Sequence, residues 1–180
     1  GKEFAAVSEL ITGATAKARF VMLNSYESRW SIQWQRHHKD FDYIQYFNSF
    51  YRPLMMRNAP VEILGAETLT DAKQLIGVKT VIAPAMLLIN DQLVKVLKDY
   101  VSRGGNLVLT ARSAMKDSYN ALLPARPPGP LAELAGIEVE EYYALDEPVP
   151  IKANWFEGHT QYWAERLKFL KNTSTNVIAR

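Results

Sequence analysis

Short apolar runs alternate with longer amphipathic segments along most of the chain. Four of the runs are almost wholly apolar and only three or four residues long, which is typical of strands buried on both faces of a sheet. They are residues 20–23, 61–64, 80–83 and 107–109. Between them, residues 40–58 and 91–103 carry apolar side chains at helical spacing. This alternation predicts an α/β fold with a mainly parallel sheet and helices on both of its faces.

The remaining segments have weaker patterns. Residues 3–12 predict a short amphipathic helix, and residues 24–39 a long polar connection of which a part is helical. Residues 111–130 contain four prolines, which favours an irregular loop. Residues 137–143 alternate like a fifth strand. The pattern of residues 151–170 leaves two structures open, either edge strands or a strand followed by a helix.

The helix predicted at residues 40–58, with Asp40 as its N-cap, is apolar over an arc of roughly 220°. Pro53 lies inside the pattern and is predicted to bend the helix. So much apolar surface exceeds what one contact can cover. Either a second layer of the same domain, formed by residues 1–13 or 151–170, covers the helix, or a different domain or subunit does.

Composition narrows the class of protein. The chain has 180 residues, of which 48% are hydrophobic and 22% charged, and its net charge is +2; these values are ordinary for a single domain. No basic stripe stands out and no apolar run approaches the ~20 residues of a membrane span, so we predict no nucleic-acid or membrane partner. The absence of cysteine excludes disulfides and a cysteine nucleophile, and it fits a reducing compartment, for which we predict the cytoplasm.

Chemistry in a parallel sheet is expected beyond the carboxyl ends of its strands. The connection after residues 20–23 contains no glycine, which excludes a dinucleotide or phosphate loop at that position. The neighbours His37 and His38 point apart on a helix, so together with Asp40 they do not predict a metal site. We therefore predict no catalytic residue, no bound cofactor and no metal.

A polar group follows the last buried strand, where a functional site is expected. It contains Arg112, Ser113, Lys116 and Asp117. Two interpretations stay open at this point. The group forms a loop salt bridge, which stabilises little on a surface, or it contacts a ligand or a neighbouring chain.

Eight short motifs follow one another along the chain in a specific order and spacing. They are YESRW at 26–30, KDFDY at 39–43, FYRPL at 50–54, VIAPAM at 81–86, YVSRGGNLVLT at 100–110, RS at 112–113, KD at 116–117 and PGPL at 128–131. In this arrangement they resemble the middle domain of glycoside hydrolase family 42 β-galactosidases. The resemblance covers roughly the whole chain and is strongest from residue 20 to residue 145.

The resemblance implies a fold and a domain arrangement. In that family a catalytic (β/α)₈ barrel precedes the middle domain, and two glutamates of the barrel cleave β-galactosides with retention of configuration. The middle domain is a trimerisation domain with a flavodoxin-like, class I glutamine amidotransferase-like three-layer sandwich. The cysteine nucleophile of those amidotransferases has no counterpart here. Residues 1–15 then correspond to a linker or the end of the barrel, and residues 16–180 to the trimerisation domain.

The resulting hypothesis is a non-catalytic assembly domain of a bacterial β-galactosidase that hydrolyses terminal β-D-galactosides. Its expected partners are the barrel of the same polypeptide and other copies of itself, in a homotrimer. The alternative is a stand-alone flavodoxin-like module that binds or senses a sugar. We expect the isolated chain to hydrolyse no β-galactoside and to self-associate weakly or not at all. The candidate residues for an interface or an active-site rim are Tyr26, Arg29, Trp30, Tyr43, Tyr46, Phe50, Arg112, Lys116 and Asp117.

Overall fold

A central sheet of four parallel strands organises the computed structural model, which describes residues 2–13, 18–171 and 175–178. The strands are β1 (Phe20–Asn24), β2 (Val61–Gly65), β3 (Thr80–Ala83) and β4 (Asn106–Leu109). Their order across the sheet is β2-β1-β3-β4, and Met22 of β1 pairs with Ile63 on one side and with Ile82 on the other. The predicted α/β fold with a mainly parallel sheet is confirmed.

The described helices are α1 (Lys2–Ala6), α2 (Ser8–Ile11), α3 (Tyr26–Trp34), α4 (Tyr43–Met55), α5 (Asp91–Ser102) and α6 (Ala132–Ala135), with 3₁₀ turns at Ala66–Thr68, Ala72–Leu75 and Gly129–Leu131. Helices α3 and α4 cover one face of the sheet and α5 covers the other, whereas α1 and α2 bury no residue. Successive side chains of β1 point to opposite faces, so Val21 packs in the core with α5 and Met22 packs in the core with α3 and α4. No helix in the described ranges is long and apolar enough to cross a bilayer.

The segment predicted as a polar connection contains a regular helix. Ser25 caps α3, since its Oγ accepts a hydrogen bond of 3.0 Å from the backbone N–H of Ser28. The serines on the inner face of α3 are buried, whereas its larger aromatic side chains point outward. The sequence predicted that part of this connection is helical but not its bounds, because only Ile32 and two serines face the core while the aromatic side chains face solvent.

The predicted boundaries of α4 are wrong at both ends. The helix begins after Asp42, whose carboxylate accepts from the Gln45 backbone N–H at 2.8 Å, and Asp40 does not cap it. Phe41 is turned into the core before the helix starts, which is why its apolar character misled the prediction. At the other end the helix runs continuously past Pro53 and stops at Met55.

The last third of the chain forms two antiparallel pairs of strands. Strand β5 (Ile137–Ala144) pairs with β8 (Trp163–Phe169). Strands β6 (Val149–Ala153) and β7 (Phe156–Thr160), which lie between those two in the sequence, pair with each other in a separate sheet. The predicted fifth strand therefore exists but lies outside the parallel sheet. Of the two structures left open for residues 151–170, the strands are present and the helix is not.

The end of this region covers the aromatic face of α4. Trp163 stacks on Phe41 with ring centroids 4.3 Å apart, and Tyr162 packs edge-on against the same ring. Residues 2–13, by contrast, are exposed throughout and cover nothing. A second layer of the same domain thus shields the inner stripe of α4, while Ile44 and Met55 stay exposed on its outer side.

Candidate functional site

Two cationic side chains lie buried in the loop that follows β4. Arg112 is 3% exposed and Lys116 is 7% exposed. Backbone hydrogen bonds anchor this loop to the neighbouring connection after β3, because Ala114 N donates to Met86 O at 2.8 Å and Lys116 N donates to Leu87 O at 3.0 Å. The loop therefore holds both cations at the carboxyl edge of the parallel sheet, where ligands bind in this class of fold.

Arg112 is held by contacts that leave its guanidinium without a hydrogen-bond partner. Its backbone N–H donates to Glu165 Oε1 at 2.8 Å, and its φ of 68° is left-handed. The guanidinium carbon lies 4.4 Å from the centre of the Tyr142 ring and 5.6 Å from that of Trp163. Nε is buried and donates to no partner among the described residues. Burial lowers the pKa of Arg112, and Glu165 acts in the opposite direction.

Lys116 contacts only neutral oxygen atoms. Its Nζ donates to Asn120 Oδ1 at 2.9 Å and lies 3.5 Å from Ser31 Oγ, which itself donates to the same amide oxygen at 2.6 Å. Within the described part of the chain, neither Lys116 nor Arg112 forms an ion pair. The interpretation of this group as a loop salt bridge is therefore wrong.

A cavity of about 560 Å³ opens beside the two cations. The imidazole of His37 shares its wall with Tyr142 and Leu122. Burial lowers the pKa of His37, and the charges of Arg112 and Lys116 lower it further. The imidazole is therefore held in its neutral form beside two positive charges.

Asp117 has a structural role that the sequence did not indicate. Its Oδ1 accepts hydrogen bonds of 2.9 Å from the backbone N–H groups of Tyr119 and Ala121. These bonds close the turn that carries Asn120 towards Lys116. The carboxylate is thus directed into its own loop, and Asp117 is not a residue of the cavity wall.

Tyr43 is buried inside the domain, and Tyr46 and Phe50 are partly buried. The Tyr43 hydroxyl is buried, accepts from Ser25 N at 3.1 Å and lies 3.4 Å from Asn24 Oδ1. The Tyr46 ring packs against Phe50 at 5.2 Å and against Trp163 at 5.7 Å. Tyr43 is therefore corrected from an interface residue to a core residue, because the whole side chain is enclosed by its own chain.

A row of aromatic side chains projects from the outer face of α3. Tyr26 and Trp30 are 51% and 63% exposed, and their ring centroids lie 5.9 Å apart. Trp34 continues the row at 93% exposure. Residues four apart share one face of a helix, so the three rings form one continuous apolar strip, which we call the α3 aromatic row. Arg29 lies half-buried beside it with its Nε unpartnered among the described residues.

Sequence reasoning missed Trp34, although its spacing from Trp30 would have revealed it once residues 26–34 were recognised as a helix. It also missed His37, Tyr142 and Glu165. No local signal could have found these three, because they reach Arg112 from distant parts of the chain.

A second cavity, of about 470 Å³, lies between α4 and residues 159–163. Tyr46 and Tyr162 form its aromatic wall, while Gln45, His159 and Gln161 provide polar groups. Among the described residues, no group of three His, Asp or Glu side chains could hold a metal ion. His38 is engaged elsewhere, since its Nε2 lies 2.8 Å from Leu145 O.

The sequence and the fold both match known proteins. The profile of the family described as "Beta-galactosidase trimerisation domain" matches residues 18–180. Beta-galactosidase BgaH of Haloferax lucentense is 32% identical over 165 residues, which cover 90% of this chain and 24% of that protein. Beta-galactosidase LacA of Lactobacillus acidophilus is 32% identical over 146 residues, covering 81% of this chain and 21% of that protein.

Solved structures agree with these sequence matches. The β-galactosidase of Bacillus circulans sp. alkalophilus superimposes with a TM-score of 0.86 at 20% identity, covering 99% of this chain and 26% of that one. The β-galactosidase of Halorubrum lacusprofundi does so with a TM-score of 0.78 at 29% identity, covering 93% of this chain and 24% of that one. The chain thus spans about a quarter of the length of the proteins it matches. From residue 18 onward, it belongs to the β-galactosidase trimerisation domain family.

Proposed function

We propose that this chain is the non-catalytic assembly domain of a β-galactosidase and that it holds three copies of that enzyme together. The observation that carries the proposal is the family match over residues 18–180. The relatives are named β-galactosidases, and each contains about three quarters of its length outside this domain. Hydrolysis of terminal β-D-galactosides then belongs to a preceding (β/α)₈ barrel, in which a pair of carboxylates acts as proton donor and nucleophile.

The α3 aromatic row is the surface that best suits contact between copies. Exposed tryptophan and tyrosine side chains are favoured at the centres of protein interfaces, where their rings leave water at low cost in side-chain entropy. Tyr26, Trp30 and Trp34 present such rings on a helix whose opposite face is fixed in the core. Arg29 adds a guanidinium next to them, and arginine is also enriched at interfaces.

The proposed fold is flavodoxin-like, and the sheet supports it. The strand order β2-β1-β3-β4 is the order of the first four strands in flavodoxin-like proteins. The chain contains no cysteine, so the amidotransferase chemistry found on related sheets has no nucleophile here.

Residues 1–15 are proposed to connect this domain to the barrel. Both α1 and α2 are exposed along their whole length, and the apolar side chains of Phe4 and Leu10 are among the most exposed of the chain. The family match begins only after them. An amphipathic segment without cover in its own domain is expected to pack on another one. The location in the cytoplasm remains a prediction.

A chimera tests the assembly function. This chain replaces the matching fifth of LacA of Lactobacillus acidophilus, and sedimentation velocity is measured with and without Trp30→Glu plus Trp34→Glu. We expect a trimer that the double variant dissociates, because it places two charges in an apolar contact. Trp155→Glu is the control, since Trp155 is also an exposed ring and lies in the turn between β6 and β7. An assembly state that the double variant leaves unchanged would remove the α3 aromatic row from the interface.

The alternative function, sugar binding, is favoured by the cavity beside α4. Its aromatic rings and amide groups are the combination with which proteins bind neutral polar ligands. Titration of the isolated chain with galactose separates the two functions. The assembly domain gives no saturable signal and no turnover of a chromogenic β-galactoside. Saturation that Gln45→Ala removes would establish the sugar-binding module instead.

A further inference from the structure

The cavity beside Arg112 and Lys116 has an unbalanced charge. None of its nine lining residues is acidic, whereas two of them are buried cations. The third basic side chain, His37, is kept neutral by burial and by those cations. The cavity therefore carries a positive potential that no group in its own wall compensates.

The acidic side chains nearest to this cavity are directed away from it. Asp117 is committed to the backbone of its own turn through two hydrogen bonds. Glu165 contacts the backbone N–H of Arg112 and lines a different cavity with Leu109 and Leu167. Burial raises the pKa of Glu165, which disfavours its charged form. Neither carboxylate forms an ion pair with the guanidinium or the ammonium group, although the charge of Glu165 favours the charged form of Arg112.

Both cations keep hydrogen-bond donors available. A guanidinium has five N–H donors and an ammonium has three. Arg112 uses none of its side-chain donors on the described residues, and Lys116 uses its donors only on neutral oxygens of Ser31 and Asn120. Charges removed from water without an opposite charge are costly to a fold. An anion that enters the cavity would lower this cost.

We propose that this cavity is a binding site for a carboxylate group, with the Arg112 guanidinium and the Lys116 ammonium as its charged donors. A guanidinium matches the two oxygens of a carboxylate with parallel hydrogen bonds. Leu122, Tyr142 and Met115 give the cavity an apolar wall that suits the carbon atoms attached to a carboxylate. No helix begins among the lining residues, so the backbone N–H groups that typically bind phosphate are not provided there. This proposal is independent of the proposed assembly function.

Propionate is the probe and propionamide is its neutral control of matched shape. Each is titrated into the 180-residue chain at constant ionic strength, while the His37 ring resonances and the Tm are followed. We expect propionate alone to shift these resonances in a saturable manner, to raise the pKa of His37 and to raise the Tm. No saturable effect of propionate, or an equal effect of propionamide, would overturn the proposal.

Variants of the cations test the assignment of the donors. Lys116→Met and Arg112→Met are each expected to weaken propionate binding by about tenfold or more, because each removes a charge-assisted hydrogen bond. Lys98→Met, on the exposed side of α5, is the control and should bind propionate like the unchanged chain. Binding that survives both cation variants would contradict the proposal.

A third variant does not depend on how the fold tolerates the loss of a buried cation. Leu122 is 67% exposed at the rim of the cavity. Leu122→Glu is expected to place a carboxylate next to the cations, raise the Tm and abolish propionate binding. Tyr119→Glu adds the same charge on the same loop outside the cavity and should change neither. An unchanged response to propionate in Leu122→Glu counts against the site.

The oligomeric state of the chimera shows whether the natural carboxylate belongs to a neighbouring copy or to a free small molecule. If the carboxylate belongs to a side chain of a neighbouring copy, propionate dissociates the chimeric trimer and Lys116→Met prevents its formation. If it belongs to a free small molecule, the trimer persists under both conditions while propionate still binds.

Discussion

The half-buried imidazole of His37 links the stability of this fold to its protonation. Its Nδ1 is buried without a partner among the described residues, and two cations face it across the cavity. Its pKa is lowered below the ordinary 6.5, first by burial and then by Arg112 and Lys116. Protonation of the folded chain would therefore add a third positive charge to the same small space.

The stability of the chain should fall as the pH decreases below 6.5. In that range the unfolded chain binds a proton at His37 more readily than the folded chain, so acid favours unfolding. Above 6.5 both states carry the neutral imidazole, and His37 contributes no further change. His37→Gln should remove part of this loss, as measured by urea unfolding at about pH 7.5 and about pH 5.5.

The exposed His159 provides the control for this experiment, because His159→Gln should leave the difference between the two pH values as it is in the unchanged chain. An identical loss of stability in His37→Gln and in the unchanged chain would show that His37 titrates normally. The pKa of Glu165 is shifted upward by burial, whereas that of His37 is shifted downward. The stability that is linked to Glu165 therefore decreases as the pH rises through its pKa.

At the scale of elements, the junction between α5 and β4 combines two glycines with different functions. Gly104 has a φ of 91°, which ends the helix in a left-handed conformation that side chains rarely adopt. Gly105 instead provides room, because a Cβ atom at this position would overlap the ring of Tyr100. Tyr100 is buried under the sheet, and its hydroxyl reaches Val78 O at 3.4 Å.

Gly105→Ala should therefore destabilise the domain by about 1–3 kcal/mol, the usual cost of an extra methyl group in a packed core. Chemical denaturation measures this loss as a lower midpoint with an unchanged slope. The cost should shrink in a Tyr100→Leu background, where the overlapping ring is absent. A loss of the same size in both backgrounds would mean that the backbone, and not the ring, sets the cost.

The elements that could be predicted from sequence are those whose own pattern matches their burial. All four strands of the sheet were located to within one or two residues, because each is a short apolar run. Strands β1 and β3 are buried on both faces, whereas the edge strands β2 and β4 are apolar although partly exposed. Helix α5 was predicted at residues 91–103 and is observed at Asp91–Ser102; its N-cap is Asn90, whose Oδ1 accepts from Leu93 N at 2.8 Å. The bounds of helix α3 were not predicted, although part of its segment was expected to be helical. Two of its three buried residues are serines, which pair with loops that no local pattern reveals.

The cavity could be predicted only in part for a related reason. The position of Arg112 and Lys116 after a parallel strand indicated where function should lie, and the structure places them at that edge. Their burial depends on Tyr142 and on the loop after α3, which are separated from them by tens of residues. Asp117 follows Lys116 directly in the sequence and was therefore expected in the same group. Its carboxylate instead accepts a hydrogen bond from the backbone of its own loop and does not face the cavity.

At the scale of the whole molecule, two surfaces with different chemistry lie near each other on the chain. The α3 aromatic row is apolar and convex, whereas the cavity that begins after α3 is concave and positive. Both follow from how α3 is held, since its inner serines bond to the loops after β3 and β4. A single helix therefore orients the proposed contact between copies and one wall of the proposed carboxylate site.

The area of the α3 aromatic row determines how strongly the isolated chain should associate. If each ring side chain is taken at about 200 Å², the exposed parts of Tyr26, Trp30 and Trp34 amount to roughly 400 Å². A stable interface buries about 800 Å² on each partner. The row supplies about half of that area, so the remainder must come from outside α3.

The isolated chain should accordingly be a monomer at about 10 μM and form trimers only as its concentration approaches about 1 mM. Sedimentation velocity across this range measures the equilibrium, and Trp34→Ser should shift it further towards the monomer, because Trp34 contributes the largest exposed ring. Trp155→Ser removes a comparable exposed ring in the turn between β6 and β7 and should leave the equilibrium unchanged. A tight trimer at the lowest concentration would show that this domain alone is sufficient for assembly and that its contact surface extends well beyond α3.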